Sequence, residues 1–375
     1  MALIEQMNRA RWSLEMARIE EGHRIAEALQ MGRIVGVLGE GEVGKTETIR
    51  ASLGVSQPGH PIIRLDLAGA ASESYLAFRL IRQIMATELG VEFSTLKVGA
   101  LVPASLERKR IALASLLGVD GLEESLRDWP SGKFPFSRAL AALATLTQSR
   151  EVILWLDHLE APGLTPRHPL DLDRLLWGIR EIAQTHRGLT VLLSGRSAVE
   201  GRILGPEAAF HQQGHWLSLD NPPPDAWRSV ASELKVSPGL ALDLVELTGG
   251  HPDTMLVSLV EASQDRTTAQ KRLQGLALRS AALAGRAMQH AYSLHRLGGQ
   301  VLEQVARGEG PYAASQRGDS SPQEIRKVLG RLQLAGLLRH DHGWSVVNPL
   351  VGILLRGEAG RTSAPDWEPD DSTSW

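Results

Sequence analysis

The sequence predicts an α/β chain: a parallel sheet covered by helices on both faces, then a helical segment, then a small helix-and-hairpin unit. Three observations carry that prediction. Short apolar runs alternate with helical patterns along the chain up to Asn221. A Gly-rich octapeptide separates the first run from the helix after it. A later run ends in a single Asp, Asp157, the residue a phosphate-binding sheet needs on a neighbouring strand.

The elements follow in order. Residues 1–30 hold apolar positions at helical spacing, read as one or two amphipathic helices. The first strand is Arg33–Leu38, a buried run that ends in the Gly-rich turn. Four more strands are expected at Pro61–Leu67, Glu151–Leu156, Leu189–Leu193 and, more weakly, His215–Leu219. Residues 95–135, with Pro103, Trp129-Pro130 and Gly132, interrupt the alternation as an insertion of short helices within a domain over 31–220. Asn221-Pro222-Pro223-Pro224 marks a boundary, because three prolines continue neither strand nor helix interior. Residues 225–290 read as helices broken at Ser237-Pro238-Gly239 and Gly249-Gly250-His251-Pro252. Residues 291–357 form a further unit, and the polar, acidic residues 358–375 are expected to be disordered.

Composition narrows the function classes. With 43% hydrophobic and 22% charged residues, the 375-residue chain can bury full cores. A net charge of -3 excludes a general basic coat for nucleic acid but leaves room for a local patch. The absence of cysteine excludes disulfides, thiol nucleophiles and iron–sulfur clusters. No apolar run is long enough to span a membrane, and the N-terminus is too charged for a signal peptide, so a cytoplasmic location is expected.

The sharpest signal is Gly39-Glu40-Gly41-Glu42-Val43-Gly44-Lys45-Thr46, a full G-x-x-x-x-G-K-[ST]. Glycines let the backbone curl so that its N–H groups converge on phosphate oxygens. The helix that follows, from Lys45 to about Leu53, offers its N-terminal dipole to the same anion. Candidate phosphate-binding residues are Gly39, Gly41, Glu42, Val43, Gly44, Lys45, Thr46 and Glu47. Lys45 would reach the terminal phosphates, and Thr46 and Asp157 would hold Mg²⁺. Many nucleotide hydrolases place a second acid directly after the metal Asp, to polarise water. Here His158 stands in that position; Glu160, two residues later, is the candidate to polarise the water if the strand end turns, or else a solvated loop acid, and hydrolysis is expected to be slow. The fourth strand ends in Ser194-Gly195-Arg196, placing Ser194 as a phosphate sensor and Arg196 as a charge-neutralising group. No N-K-x-D guanine motif is visible.

In the C-terminal unit a first helix is expected over 294–308 and a short second one over Tyr312–Arg317. Ser321-Pro322-Gln323-Glu324 is a helix start, with Ser as N-cap and Pro at the first helical position. The helix Pro322–Leu334 puts Ile325, Val328, Leu329 and Leu332 on one face and Arg326, Lys327 and Arg331 on the other. Strands at Leu337–Arg339 and Trp344–Val347 flank a tight Asp341-His342-Gly343 turn. Together these make a winged helix-turn-helix. Arg326, Lys327, Arg331 and Arg339 are its candidate DNA contacts. The rival reading is a packing module that latches the nucleotide domain.

The phosphate loop, LWLDHLE at 154–160, LLSGRS at 192–197 and LTGGHP at 247–252 together resemble STAND and AAA+-type P-loop ATPases, especially archaeal-ATPase-like and origin-initiator-like members. The resemblance spans roughly residues 20–356. It implies a sheet ordered 5-1-4-3-2, a helical lid and a winged helix. It also implies ATP/ADP with Mg²⁺ as ligands, and His251 and Pro252 approaching the adenine or ribose. Asn348-Pro349 departs from the nucleotide-sensing His of related switches. The implied function is a slowly hydrolysing switch acting on DNA, on a protein partner or through self-assembly. The alternatives are a ring- or filament-forming loading ATPase, with Arg196 or Arg202 donated in trans, and a non-catalytic nucleotide-bound regulator.

Overall fold

The computed structural model of the chain describes residues 18–41, 43–57, 59–70, 72–89, 136–164, 170–264, 284–313, 320–340 and 342–356. The expected insertion at 95–135, the short helix at 312–317 beyond Ala313, the acidic tail and most of the first helical segment lie outside these residues, as does Glu42. The chain divides into two compact units, the first ending at Pro222 and the second running on from Pro223.

The first unit is a five-stranded parallel sheet with helices. Its strands are β1 (Ile34–Leu38), β2 (Ile62–Asp66), β3 (Val152–Asp157), β4 (Leu189–Gly195) and β5 (His215–Ser218). Their order is β2-β3-β4-β1-β5, which is 5-1-4-3-2 read from the other edge. The central strands β1 and β3 are buried along their whole length, whereas the edges β2 and β5 alternate or lie open. That is why the central strands read as unbroken apolar runs and β5 as a weak one. Helices α1 (Ile19–Met31), α2 (Lys45–Ser56), α3 (Glu73–Leu89), α4 (Phe136–Ser149) and α5 (Leu172–Thr185) cover the sheet. Asp171 caps α5 by accepting from the N–H groups of Asp173 and Arg174.

One core cluster ties α1 and α2 to β1, β3 and β4, through Ile25, Leu29, Val35, Val37, Ile49, Leu53, Ile153, Trp155 and Leu192. Val43, from the middle of the phosphate loop, is fully buried in the same cluster. Burying such a side chain contributes about 1.5–3 kcal/mol. Here it also nails the loop to the sheet.

The second unit contains α6 (Pro224–Glu233), α7 (Pro238–Thr248), α8 (Pro252–Gln264), a helix over 284–294, α9 (Gly298–Ala306) and α10 (Pro322–Leu334). An antiparallel hairpin follows, β6 (Leu338–His340) with β7 (Trp344–Val346), and then α11 (Pro349–Leu355). Helices α6, α7, α8, α10 and α11 all open on Pro, whose fixed φ suits a first helical turn and whose missing N–H has no partner there anyway. Ser321 caps α10 by accepting from Glu324 N, and Asn348 caps α11 by accepting from Leu350 N. Helix α11 is an addition to the sequence reading. Its seven residues are too few to show a periodicity, and Asn-Pro reads equally as a turn.

Candidate nucleotide site

The site forms where the sheet's C-terminal strand ends meet the first turn of α2. Gly44 adopts φ 89 in the left-handed region and is the N-cap of α2, so the chain turns sharply from loop into helix. Gly39 is required for a different reason: a Cβ there would lie 2.2 Å from the backbone oxygen of Leu219. Gly39 N donates to Gly195 O, and Ser197 N donates to Gly39 O, so the loop is stitched to the end of β4.

Lys45 is folded into the mouth of this loop. Its Nζ donates to Gly39 O at 3.0 Å and to Glu40 O at 2.6 Å. Burial is the main influence on it and lowers its pKa to about 8, against the smaller opposing pull of Glu160. Thr46 Oγ1 lies 3.5 Å from Asp157 Oδ2. A hydroxyl and a carboxylate facing one another are the hard oxygen donors Mg²⁺ takes, with water completing its shell. Thr46 and Asp157 therefore fit the metal. Among the described residues no cluster of three or more His, Asp or Glu offers another such place. Glu47, one residue on, is exposed.

Asp157 ends β3, and its neighbours orient it. Ser194 Oγ donates to Asp157 Oδ1 at 2.6 Å and accepts from Trp155 Nε1 at 2.7 Å. Ser194 is fully buried, so in this arrangement it fixes the carboxylate. His158 N also donates to Oδ1, at 3.1 Å. Arg64, from β2, donates to Oδ2 through Nε at 3.1 Å and Nη2 at 2.5 Å, with its guanidinium over the Trp155 ring at 4.7 Å.

His158 takes φ 60, in the left-handed region, and its ring meets the last residue of β2. There His158 Nδ1 meets Asp66 Oδ1 at 2.9 Å. This hydrogen bond is the main cause of both shifts, raising the pKa of His158 and lowering that of Asp66. Glu160 is buried, and its Oε2 accepts from Arg196 N at 3.1 Å. Its Oε1 stands 3.5 Å from Arg196 Nε. The Arg196 guanidinium in turn lies 3.4 Å from where a Cβ on Gly41 would sit. Glu160, Arg196 and the phosphate loop are therefore brought together.

Arg18, just before α1, lies near Gly44 of the loop and is not singled out by sequence reading. It is 4% exposed, donates to Asp220 O at 2.7 Å, and leaves Nε and Nη1 without a hydrogen-bond partner. Nη1 stands 3.7 Å from Glu21 Oε1, too long for a hydrogen bond. Its Nε is 4.0 Å from the Cβ position of Gly44. Burial lowers its pKa from the ordinary arginine value. The only sequence signal is one Arg among many on an amphipathic pattern.

No family model matches the chain, and a search of curated proteins finds no match. Among solved structures, a Walker-type ATPase of Pyrococcus abyssi aligns with TM-score 0.61 at 17% identity, over 90% of this chain and 95% of that one. The chain shares its fold with that protein. Two further structures align less closely. The Aeropyrum pernix Orc1 protein in complex with DNA gives TM-score 0.46 at 14% identity, over 91% of this chain and 92% of that one. Cdc6p of Pyrobaculum aerophilum gives 0.45 at 11%, over 91% and 94%.

The remaining sequence-predicted residues, Arg202 apart, belong to the second unit. His251 and Pro252 sit at the turn between α7 and α8, both buried. Gly249 and Gly250 take φ 69 and 72 there, and the Pro349 ring packs 3.0 Å from the Cβ position of Gly249. The turn thus has a structural role as a helix stop. Arg326 and Lys327 are exposed on α10. Arg331 Nη1 donates to Leu294 O at 3.1 Å, and Arg339 Nε donates to Ser345 Oγ at 3.1 Å. Arg202 is held by both oxygens of Asp173. Among the described residues, no helix is long and apolar enough to cross a membrane.

Proposed function

We propose that the chain is a nucleotide-controlled switch. It binds ATP and ADP with Mg²⁺, hydrolyses ATP slowly, and passes its nucleotide state to a winged-helix unit that contacts duplex DNA. The observation that carries this reading is the convergence of Lys45, Thr46 and Asp157 at the loop mouth, with an Asp-paired His158 in the position after Asp157.

Lys45 would exchange its two loop carbonyls for phosphate oxygens, a stronger charge-assisted pairing. Bound Mg²⁺ would be held by Thr46 and Asp157, and would neutralise charge on the phosphates. Ser194 and the His158 N–H keep the Asp157 carboxylate in one orientation, whatever occupies the loop. Glu160 stays tied to Arg196, so it orients that guanidinium beside Gly41 and does not act as a free water-polarising base. With no other acid placed as such a base among the described residues, turnover would be slow. The likeness in fold to a structure named as a Walker-type ATPase supports the hydrolase class. On the second unit, exposed Arg326 and Lys327 on α10, beside the β6–β7 hairpin, support phosphate contact with duplex DNA.

The test is ATP turnover and oligomeric state with and without duplex DNA. Turnover well under about 10 s⁻¹, with a nucleotide-dependent change in DNA affinity, is expected. Turnover at or above that rate, or DNA affinity indifferent to nucleotide, would sink the switch. ATP-dependent growth into rings or filaments on DNA would instead favour a loading ATPase.

A further inference from the structure

Asp157 has two oxygens, and the structure gives them different work. Oδ1 is taken up by Ser194 Oγ of β4 and by His158 N, just past the end of β3. Oδ2 is the oxygen that faces Thr46, and it is the one Arg64 grips with two N–H groups. The metal-facing oxygen of the site therefore already carries a cation.

This contact is built in. Arg64 lies opposite Trp155 in the β2–β3 register, and its guanidinium rests on the indole face at 4.7 Å. Arg64 belongs to an edge strand, where backbone groups would ordinarily be left to solvent. Gln83 of α3 instead accepts from Arg64 N at 2.8 Å and donates to Arg64 O at 2.6 Å. Gln83 is itself only 8% exposed. Backbone and side chain of Arg64 are thus both positioned. Yet the side chain is 29% exposed while that of Asp157 is 3% exposed, so the guanidinium has a route to water that the carboxylate lacks.

We infer that Arg64 is a resident cation, a positioning residue that stands in for the divalent metal on Asp157 and competes with it. The inference rests on the nucleotide reading above. It has two consequences. Nucleotide binds with little help from Mg²⁺, because Asp157 is neutralised in advance. When Mg²⁺ does enter with nucleotide, Arg64 gives up Oδ2 and moves toward solvent at the β2 edge, so the edge strand senses the metal-loaded state. A charge-assisted, two-pronged contact must be broken for this, which sets the scale of the competition at about tenfold in affinity.

The experiment uses the full chain and a fluorescent ADP analogue, titrated in excess EDTA and in excess Mg²⁺. The readout is the ratio of the two dissociation constants, which a merely structural role for Arg64 would leave alone. For Arg64→Gln the ratio should rise about tenfold over the parent protein, with Mg²⁺-dependent binding tightened and EDTA binding weakened. Mn²⁺ affinity measured by electron paramagnetic resonance in the presence of ADP should tighten in step. Should Arg64→Gln not fold, Arg64→Lys carries the test. It keeps the charge but has a single-pronged, shorter reach, and the ratio should rise severalfold. Equal ratios in parent and variant, with nucleotide bound by both, overturn the resident cation and leave the nucleotide reading intact. A parent protein that binds the ADP analogue in neither buffer overturns both.

Discussion

At the scale of single residues, Lys45 has the most to do. Substitution Lys45→Ala should reduce ATP affinity by at least about a hundredfold, from loss of a buried charge-assisted contact. The fold should survive, because Lys45 bonds only to loop carbonyls and is lowered in pKa by burial. Calorimetric titration beside a thermal melt checks both halves. The lowered value of about 8 also fixes a pH dependence. Between there and the ordinary lysine range the folded protein binds fewer protons than the unfolded chain, so this group's effect on stability improves as pH rises through that window. Nucleotide reverses the preference, since phosphate favours the charged ammonium. Above about pH 8, ADP binding should therefore take up protons and weaken as pH rises. Titrations at pH 8.5 in buffers of different ionisation enthalpy should give different heats, and identical heats would refute the lowered pKa. Ser194→Ala is the other informative change. It leaves the buried Trp155 N–H without an acceptor and should destabilise the protein by about 1–3 kcal/mol in urea melts. Lys45 and Thr46 were legible in sequence because a local motif specifies them, and Asp157 because it closes an apolar strand run. Arg64, Asp66 and Arg18 were not, because strand register and long-range packing bring them to the site. An Arg inside the otherwise apolar Ile62–Leu65 run was the one visible trace.

At the scale of elements, the loop between β1 and α2 works because two neighbours restrain it. Gly39→Ala would push a methyl group into the Leu219 backbone, which has no flexible side chain to move aside. The ends of β1 and β5 would have to part, with a loss of about 1–3 kcal/mol and weaker nucleotide binding. Paired denaturant melts and titrations measure the two effects. On α10, Arg326→Ala with Lys327→Ala should lower DNA affinity and reduce the salt slope by about 2, as expected for two lost phosphate contacts. An unchanged slope would return α10 to a solvated face. The strands were readable from sequence because the central ones are buried on both faces. The order 5-1-4-3-2 came from the resemblance, since no apolar run declares its neighbours, and the structure bears it out. Helix α11 escaped notice because seven residues after Asn348 carry too little pattern.

At the scale of the whole molecule, nucleotide binding should appear as stability. ADP at a hundred times its dissociation constant should add about 2.7 kcal/mol, and Lys45→Ala should abolish the gain. Calorimetric scanning of both proteins, with and without ADP, decides this. The chain forms two compact units that meet in sequence at Pro222-Pro223, so a single midpoint should not be assumed and each transition is to be followed separately. That division coincides with the run of prolines, a breaker signal visible in the sequence itself.

The left-handed backbone of His158 bears on what can be engineered here. Left-handed φ suits Gly, Asn, Asp and His far better than Glu. A designer who wishes to restore the missing acid by His158→Glu would strain the turn and set two carboxylates, Glu and Asp66, against one another. The expected product is a less stable protein whose turnover is no faster. A quicker enzyme would need the turn, Asp66 and the substituted residue redesigned together, which puts it several coordinated changes away from this sequence.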